Sequence, residues 1–380
     1  MRAPLEQALH QWVDAGVIDQ QTADRIRTFE SAPKSPGLRW PAVLAIAFGA
    51  IMVGAGVLLF VAAHWEDLSP TQRFLLVLAM VAGFHLAAGA LMPRMRALGL
   101  ALHAVGTVAL GGGIYLAGQI FNLQEHWPGA VLLWAIGACL SWGVLRDWLQ
   151  ATLAALLIPA WIASEWSVRA EQFSGTEKML LQFLTLLAIT YLSAQRGGNE
   201  SYFRRALKWT GGLALLPLAA ALAATEGGGW YRWPAMPISF RAAGYVMAFL
   251  LPLVAAWLLR RKAAIWNVAF GLWVFVLGLF NSRDIFGTRD IFEELAIYAL
   301  CALGSMGMVY WGLQERRRER INLGVAGFAI TIMVFYFSSV MDKLGRSASL
   351  VGFGLLFLLG GWKLEQLRRR LVARTAGGTR

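Results

Sequence analysis

The residues of this sequence best placed to do chemistry are two histidines set inside long apolar runs. His85 stands seven residues before the end of one run and His103 six residues into the next. If both runs are helices, a rise of about 1.5 Å per residue puts each ring roughly 10 Å inside. Two imidazoles at matching depth could face one another and relay protons or bind a transported ion, because histidine changes charge near neutral pH. The plainer alternative is that each ring bonds a backbone carbonyl or a hydroxyl. Polar groups in an apolar phase are costly and scarce, which is why they lead the search.

Beyond His103 the same run carries Gly111, Gly112 and Gly113, then Gln119 and Asn122 at its far end. A helix broken at a glycine triplet frees backbone groups that could hold a substrate, as in transporters with interrupted helices. Glycine also serves close helix packing, and His103, Gly106, Leu110, Gly113 and Ala117 share one stripe of mostly small residues. A second cluster is conceivable where His64, Glu66 and Asp67 follow one run and Glu125 and His126 follow another. Two imidazoles and three carboxylates could hold zinc or another divalent ion if the loops meet. Polar residues beside Trp65 and Trp127 are also what any membrane–water interface shows. Cys139 and Cys301 are isolated in apolar runs and read as packed thiols.

The elements that must position these groups follow from composition. The 380 residues are 58% hydrophobic and 15% charged, with a mean hydropathy of +0.55, too few charges to clothe a soluble surface. The fold class is therefore all-α, a polytopic helical membrane protein, since only helices can cross lipid in runs of this length. At about 20 apolar residues per span, twelve spans are expected: 41–63, 74–92, 97–121, 130–145, 148–166, 179–194, 207–224, 242–259, 263–280, 293–313, 321–340 and 349–364. The fourth, sixth and twelfth are short, and only Arg146 and Asp147 divide the fourth from the fifth, so the count ranges from 10 to 12.

Charge gives a direction. Of the 34 Lys and Arg residues, 25 fall in the two tails and the even-numbered loops, which the positive-inside rule assigns to the cytoplasm. Both termini are thus expected on the cytoplasmic side. The formal charge of +12 reports topology and contact with anionic lipid rather than nucleic acid. Trp40, Trp65, Trp127, Trp166, Trp311 and Trp362 fall at expected span ends, and Trp230 and Trp233 in the seventh loop, as interfacial anchors. Alternating charges from Arg283 and Asp284 to Arg289 and Asp290 suggest an ion-paired outer loop.

Residues 1–36 differ in kind. Pro4 can open a helix carrying Leu5, Leu9, Trp12 and Val13 on one stripe; Gly16 ends it, and Asp19 can cap a second with Ala23, Ile26 and Phe29. The expected layout is a small cytoplasmic helical hairpin and linker over 1–36, a transmembrane domain over 37–366 and a basic cytoplasmic tail over 367–380. The hairpin could dock a protein partner or simply cap the bundle.

Several motifs in order carry a family likeness: Leu9, Trp12, Gly16 and Ile18; the segment His64 to Pro70; Gly118 to Asn122 at the end of the third span; and Trp134 in the fourth. Over roughly residues 5–150 the chain resembles the bacterial membrane-protein family known as domain of unknown function 2157. Members of that family usually show an Asn-Trp pair where this chain has His64 and Trp65. The resemblance implies a multi-pass bacterial membrane protein and no particular activity.

No phosphate-cradling Gly loop, dinucleotide fingerprint, nucleophile elbow or His-Glu-x-x-His is found, so no enzyme activity and no cofactor are expected. The leading expectation is a transporter-like protein moving a small solute, ion or lipid past His85, His103 and Gln119. A membrane scaffold or sensor working through the N-terminal hairpin is the alternative. An enzyme with an outer-face metal comes third.

Overall fold

The structure is a computed structural model that describes residues 2–31, 68–121, 126–195, 201–225, 236–279 and 291–337, with scattered residues beyond them. The first and twelfth expected spans fall largely, and the basic tail and the charges Arg283, Asp284, Arg289 and Asp290 wholly, outside the described residues. The chain divides into two compact units, Met1–Arg73 and Phe74–Arg380.

Helix is the regular structure throughout the described residues. In the first unit, α1 (Arg2–Asp14) and α2 (Gln20–Ser31) are separated by Gly16, whose φ of +67° suits a residue without Cβ. Asp19 accepts from the backbone N–H of Thr22 at 3.1 Å and so caps α2. Leu9 and Ala23 are buried, and Arg27 on α2 reaches Glu6 on α1 at 3.1 Å. Further on, Ser69, Pro70 and Gln72 make a reciprocal cap: Gln72 Oε1 accepts from Ser69 N–H at 2.8 Å, and Ser69 Oγ from Gln72 N–H at 3.4 Å. It starts α3 (Pro70–Leu91).

Then come α4 (Arg96–Ile120), α5 (Pro128–Leu145), α6 (Trp148–Ala170), α7 (Thr176–Leu192) and α8 (Tyr202–Ala224). They are followed by α9 (Ile238–Tyr245), a π-helical turn (Val246–Leu250), α10 (Leu251–Arg260), a 3-10 turn (Arg261–Ala264), α11 (Ile265–Leu279), α12 (Ile291–Gln314) and α13 (Arg318–Phe335). Seven helical stretches among the described residues are long and apolar enough to cross a membrane. One of these, Ile238–Leu279, folds back on itself. Along α7, Met179 faces Gly244, and Thr190 bonds the Pro252 carbonyl. After the turn Asn267 bonds Ser193, Leu186 meets Gly271 and Gln182 meets Gly278, so the stretch runs down α7 and returns. α7 is not among the seven: its 17 residues span only about 26 Å. α13 opens on Arg318, Glu319 and Arg320.

Neighbouring helices are antiparallel and meet at small residues, as expected where lipid offers no hydrophobic drive between them. Gly99, Gly106 and Gly113 of α4 lie against Met92, His85 and Val77 of α3. Ala135 and Ala138 of α5 pack with Ala154 and Leu157 of α6. The division at Arg146 and Asp147 is a two-residue reversal: Arg146 sits at φ +50° and closes α5, while Asp147 accepts from Gln150 N–H at 2.9 Å and opens α6. Arg261 and Arg316, in the later short turns, also adopt positive φ, +56° and +53°. The largest core joins α7, α8, α11 and α12 around Leu186, Ile189, Phe270, Val274 and Trp311.

Candidate functional site

Antiparallel packing of α3 on α4 puts residues whose numbers sum to about 190 at the same level, and His85 and His103 are such a pair. Their Nδ1 atoms lie 2.9 Å apart, with ring centres separated by 5.2 Å and planes tilted by 38°. His103 is buried and His85 half-buried. Gly106 makes the approach possible, because a Cβ there would stand 2.9 Å from the His85 ring.

One residue further along, the polar cluster continues into α5 and α6. The Thr107 hydroxyl lies 2.9 Å from Gln150 Oε1 and 3.2 Å from the His103 carbonyl oxygen, and its single hydrogen serves one of them at a time. The Trp134 indole donates to the Thr107 carbonyl at 2.8 Å. Thr107 and Gln150 are fully buried, and Gln150 Nε2 has no partner among the described residues. Four helices thus meet around histidine, threonine and amide groups within one layer. Thr107 and Gln150 were not anticipated, although Gln150 carried a usable signal as an uncharged amide three residues into a span.

The other expected members of this site lie elsewhere. α4 runs unbroken from Arg96 to Ile120, so Gly111, Gly112 and Gly113 do not interrupt it. They serve packing instead: a Cβ on Gly111 would meet the Trp134 ring at 2.3 Å and one on Gly113 would meet Val77 at 2.5 Å, whereas Gly112 faces open space. Gln119 is exposed and donates to the Tyr115 hydroxyl at 2.9 Å. An apolar pocket of about 100 Å³, among α7, α8, α11, α12 and α13, is lined by residues such as Leu215, Phe270, Met308 and Leu323 and by none of the expected site residues.

Of the expected metal ligands, His64, Glu66, Asp67 and Glu125 lie outside the described residues. His126 Nε2 is 2.6 Å from Glu165 Oε2, and Arg169 holds the other oxygen of Glu165. Among the described residues no group of three or more potential ligands could hold a metal. Glu165 and Arg169 are one helical turn apart on α6, a spacing visible in the sequence.

A second buried polar cluster joins the ends of α10, α12 and α13. Trp311, expected at the interface, is fully buried, and so is Trp166 nearly. The Trp311 indole donates to Glu315 Oε1 at 2.7 Å, Arg320 donates to Oε2 at 2.6 Å, and Arg260 donates to Oε1. Burial pushes the Glu315 pKa up, but the Trp311 indole and the Arg320 and Arg260 guanidiniums outweigh it and hold the carboxyl below its ordinary value.

Long apolar helices are what the motifs of the first 150 residues lead one to expect, since the resemblance implies a multi-pass membrane protein. Residues 10–150 match the family model "Predicted membrane protein (DUF2157)". That stretch takes in His85, His103, Thr107, Trp134 and Gln150, so the whole histidine cluster lies within the part of the chain similar to the family. No curated protein and no solved structure matched the chain.

Proposed function

We propose that this is an inner-membrane protein of about twelve spans, both termini cytoplasmic, in which the α3–α6 bundle passes protons as part of a transporter-like activity. The contact between His85 and His103 carries the reading. With Nδ1 facing Nδ1, one ring must donate and the other accept. A proton added at Nε2 of the donor lets the Nδ1 proton cross to the acceptor, which then releases its own Nε2 proton; the two rings end with their tautomers exchanged and must return to them before the next transfer. A second added proton would set N–H against N–H, so the pair carries one at a time. The rings touch and Gly106 backs against His85, which suits a proton better than a larger solute.

Proteoliposomes holding a pH-sensitive dye test this. Under an imposed proton gradient the full-length chain should dissipate it, His85→Gln and His103→Gln should each slow the flux at least about tenfold, and lipid-facing Trp209→Phe should match the parent. Equal fluxes in all four proteins would remove the reading.

A second reading, a scaffold docking a partner through α1 and α2, is favoured by one observation: Trp12 and Val17 remain exposed there. It requires that removing residues 1–36 abolishes partner capture while both histidine variants retain it.

A further inference from the structure

Arg260 and Arg320 are buried against opposite claims on one carboxylate. Glu315 gives Oε1 to Arg260 and Oε2 to Arg320. Both guanidiniums also lie over the Trp311 ring, with Cζ 5.1 Å from its centre for Arg260 and 4.2 Å for Arg320. Arg320 is fully buried and Arg260 is 4% exposed. Two guanidiniums share the hydrogen bonds of one carboxylate, and Glu319 offsets the charge of Arg320 only through space, so the desolvated positive charge is expensive without a further partner. Three guanidinium nitrogens, Arg260 Nη1 and Arg320 Nε and Nη2, have no hydrogen-bond partner among the described residues. Arg261, Lys262, Arg316, Arg317 and Arg318 add to the positive field, against Glu319 as the other acid in these two turns.

We infer that Arg260 and Arg320 form a binding site for a phosphate-class oxyanion, seated beside Trp311 where α10, α12 and α13 end. The planar guanidinium fork matches a tetrahedral oxyanion through paired N–H bonds, and two forks on one aromatic face are held ready for it. Glu315 takes one donor of each fork and leaves the others for the ligand. Its side chain is 25% exposed, so a ligand would enter beside the carboxylate to reach guanidinium nitrogens that the protein itself covers. Two sources carry this chemistry: the headgroup phosphate of an anionic lipid, and free phosphate. The charge distribution assigns these turns to the cytoplasmic side, where both occur.

The test uses the full-length chain and reads its thermal unfolding midpoint in two arms. In one, protein in neutral detergent is titrated with inorganic phosphate. In the other, it is placed in nanodiscs of dioleoylphosphatidylcholine with increasing dioleoylphosphatidylglycerol. A saturable rise with phosphate assigns a free anion, and a rise confined to phosphatidylglycerol assigns a headgroup. Arg320→Lys, which keeps the charge and loses the fork, should need about tenfold more ligand. Glu315→Gln removes the competing negative charge and should need about tenfold less; Arg25→Gln on α2 should match the parent. No saturable rise in either arm overturns the site, as does equal ligand demand in the parent and Arg320→Lys. Should Arg320→Lys fail to fold, Glu315→Gln decides alone, since it retains both arginines: no tightening overturns the inference.

Discussion

Gly111 and Gly112 adjoin in sequence and have opposite surroundings. A methyl on Gly111 would press into the Trp134 ring, while one on Gly112 meets nothing within 4 Å. Gly111→Ala should therefore destabilise the bundle by about 1–3 kcal/mol. Gly112→Ala should be neutral or stabilising by up to about 1 kcal/mol, because alanine is the better helix former. Unfolding of the two variants in detergent separates packing from a substrate-holding triplet, in which both would matter. Glu315 offers a pH test. Its folded pKa lies below its ordinary 4.5, so the ionised carboxylate stabilises the fold above that value, and the contribution fades as pH falls through the lower folded value. Acid titration of the unfolding midpoint should show this loss in the parent and lack it in Glu315→Gln. The pairing of His85 with His103 was legible because depth arithmetic and antiparallel packing suffice to juxtapose them. The burial of Arg320 was not, because an arginine in a loop reads as a topology signal, and only the joining of three helix ends reveals that it has left water.

At the scale of elements, stop and start signals were the most legible feature. Gly16 ends α1 and Asp19 caps α2, each through backbone chemistry that depends on neighbours alone; the Ser69 cap opens the next helix at Pro70, four residues before the expected start at 74. The Asp19 cap makes a local prediction: its carboxyl lies below its ordinary value through the side-chain bond to Thr22, so Asp19→Ala should speed hydrogen exchange across Gln20–Ser31 and leave the second unit unchanged. Acidification through the lowered Asp19 value should have the same local effect, since protonation removes the cap. The interior of Ile238–Leu279 was less legible. Pro252 has no N–H to offer the carbonyl of Ala248, and the backbone widens into a π-helical turn at Val246–Leu250 just before it. Such a bulge also depends on what packs beside it, here α7, whose Thr190 hydroxyl donates to the Pro252 carbonyl, and that neighbour lies far away in sequence.

For the whole molecule, hydropathy and charge indicate a helical membrane protein, and the seven stretches counted among the described residues fall below twelve for separate reasons: the first and twelfth expected spans lie largely outside those residues, the eighth and ninth form the one stretch Ile238–Leu279, α7 is short, and α13 opens on charges. Orientation is directly testable. With Cys139 and Cys301 replaced, Ser174→Cys should react with an impermeant maleimide from the periplasmic side and Arg318→Cys only after the membrane is opened. The three short turns expected on the inner side share one oddity: Arg146, Arg261 and Arg316 each occupy a backbone conformation that glycine would enter freely, at a cost of about 1–3 kcal/mol apiece. Heat resistance and correct biogenesis therefore pull these positions in opposite directions. A selection for variants that survive boiling would enrich glycine at all three, and a selection for properly inserted chains would discard those same variants, since each has surrendered a charge that tells the translocation machinery which way to thread.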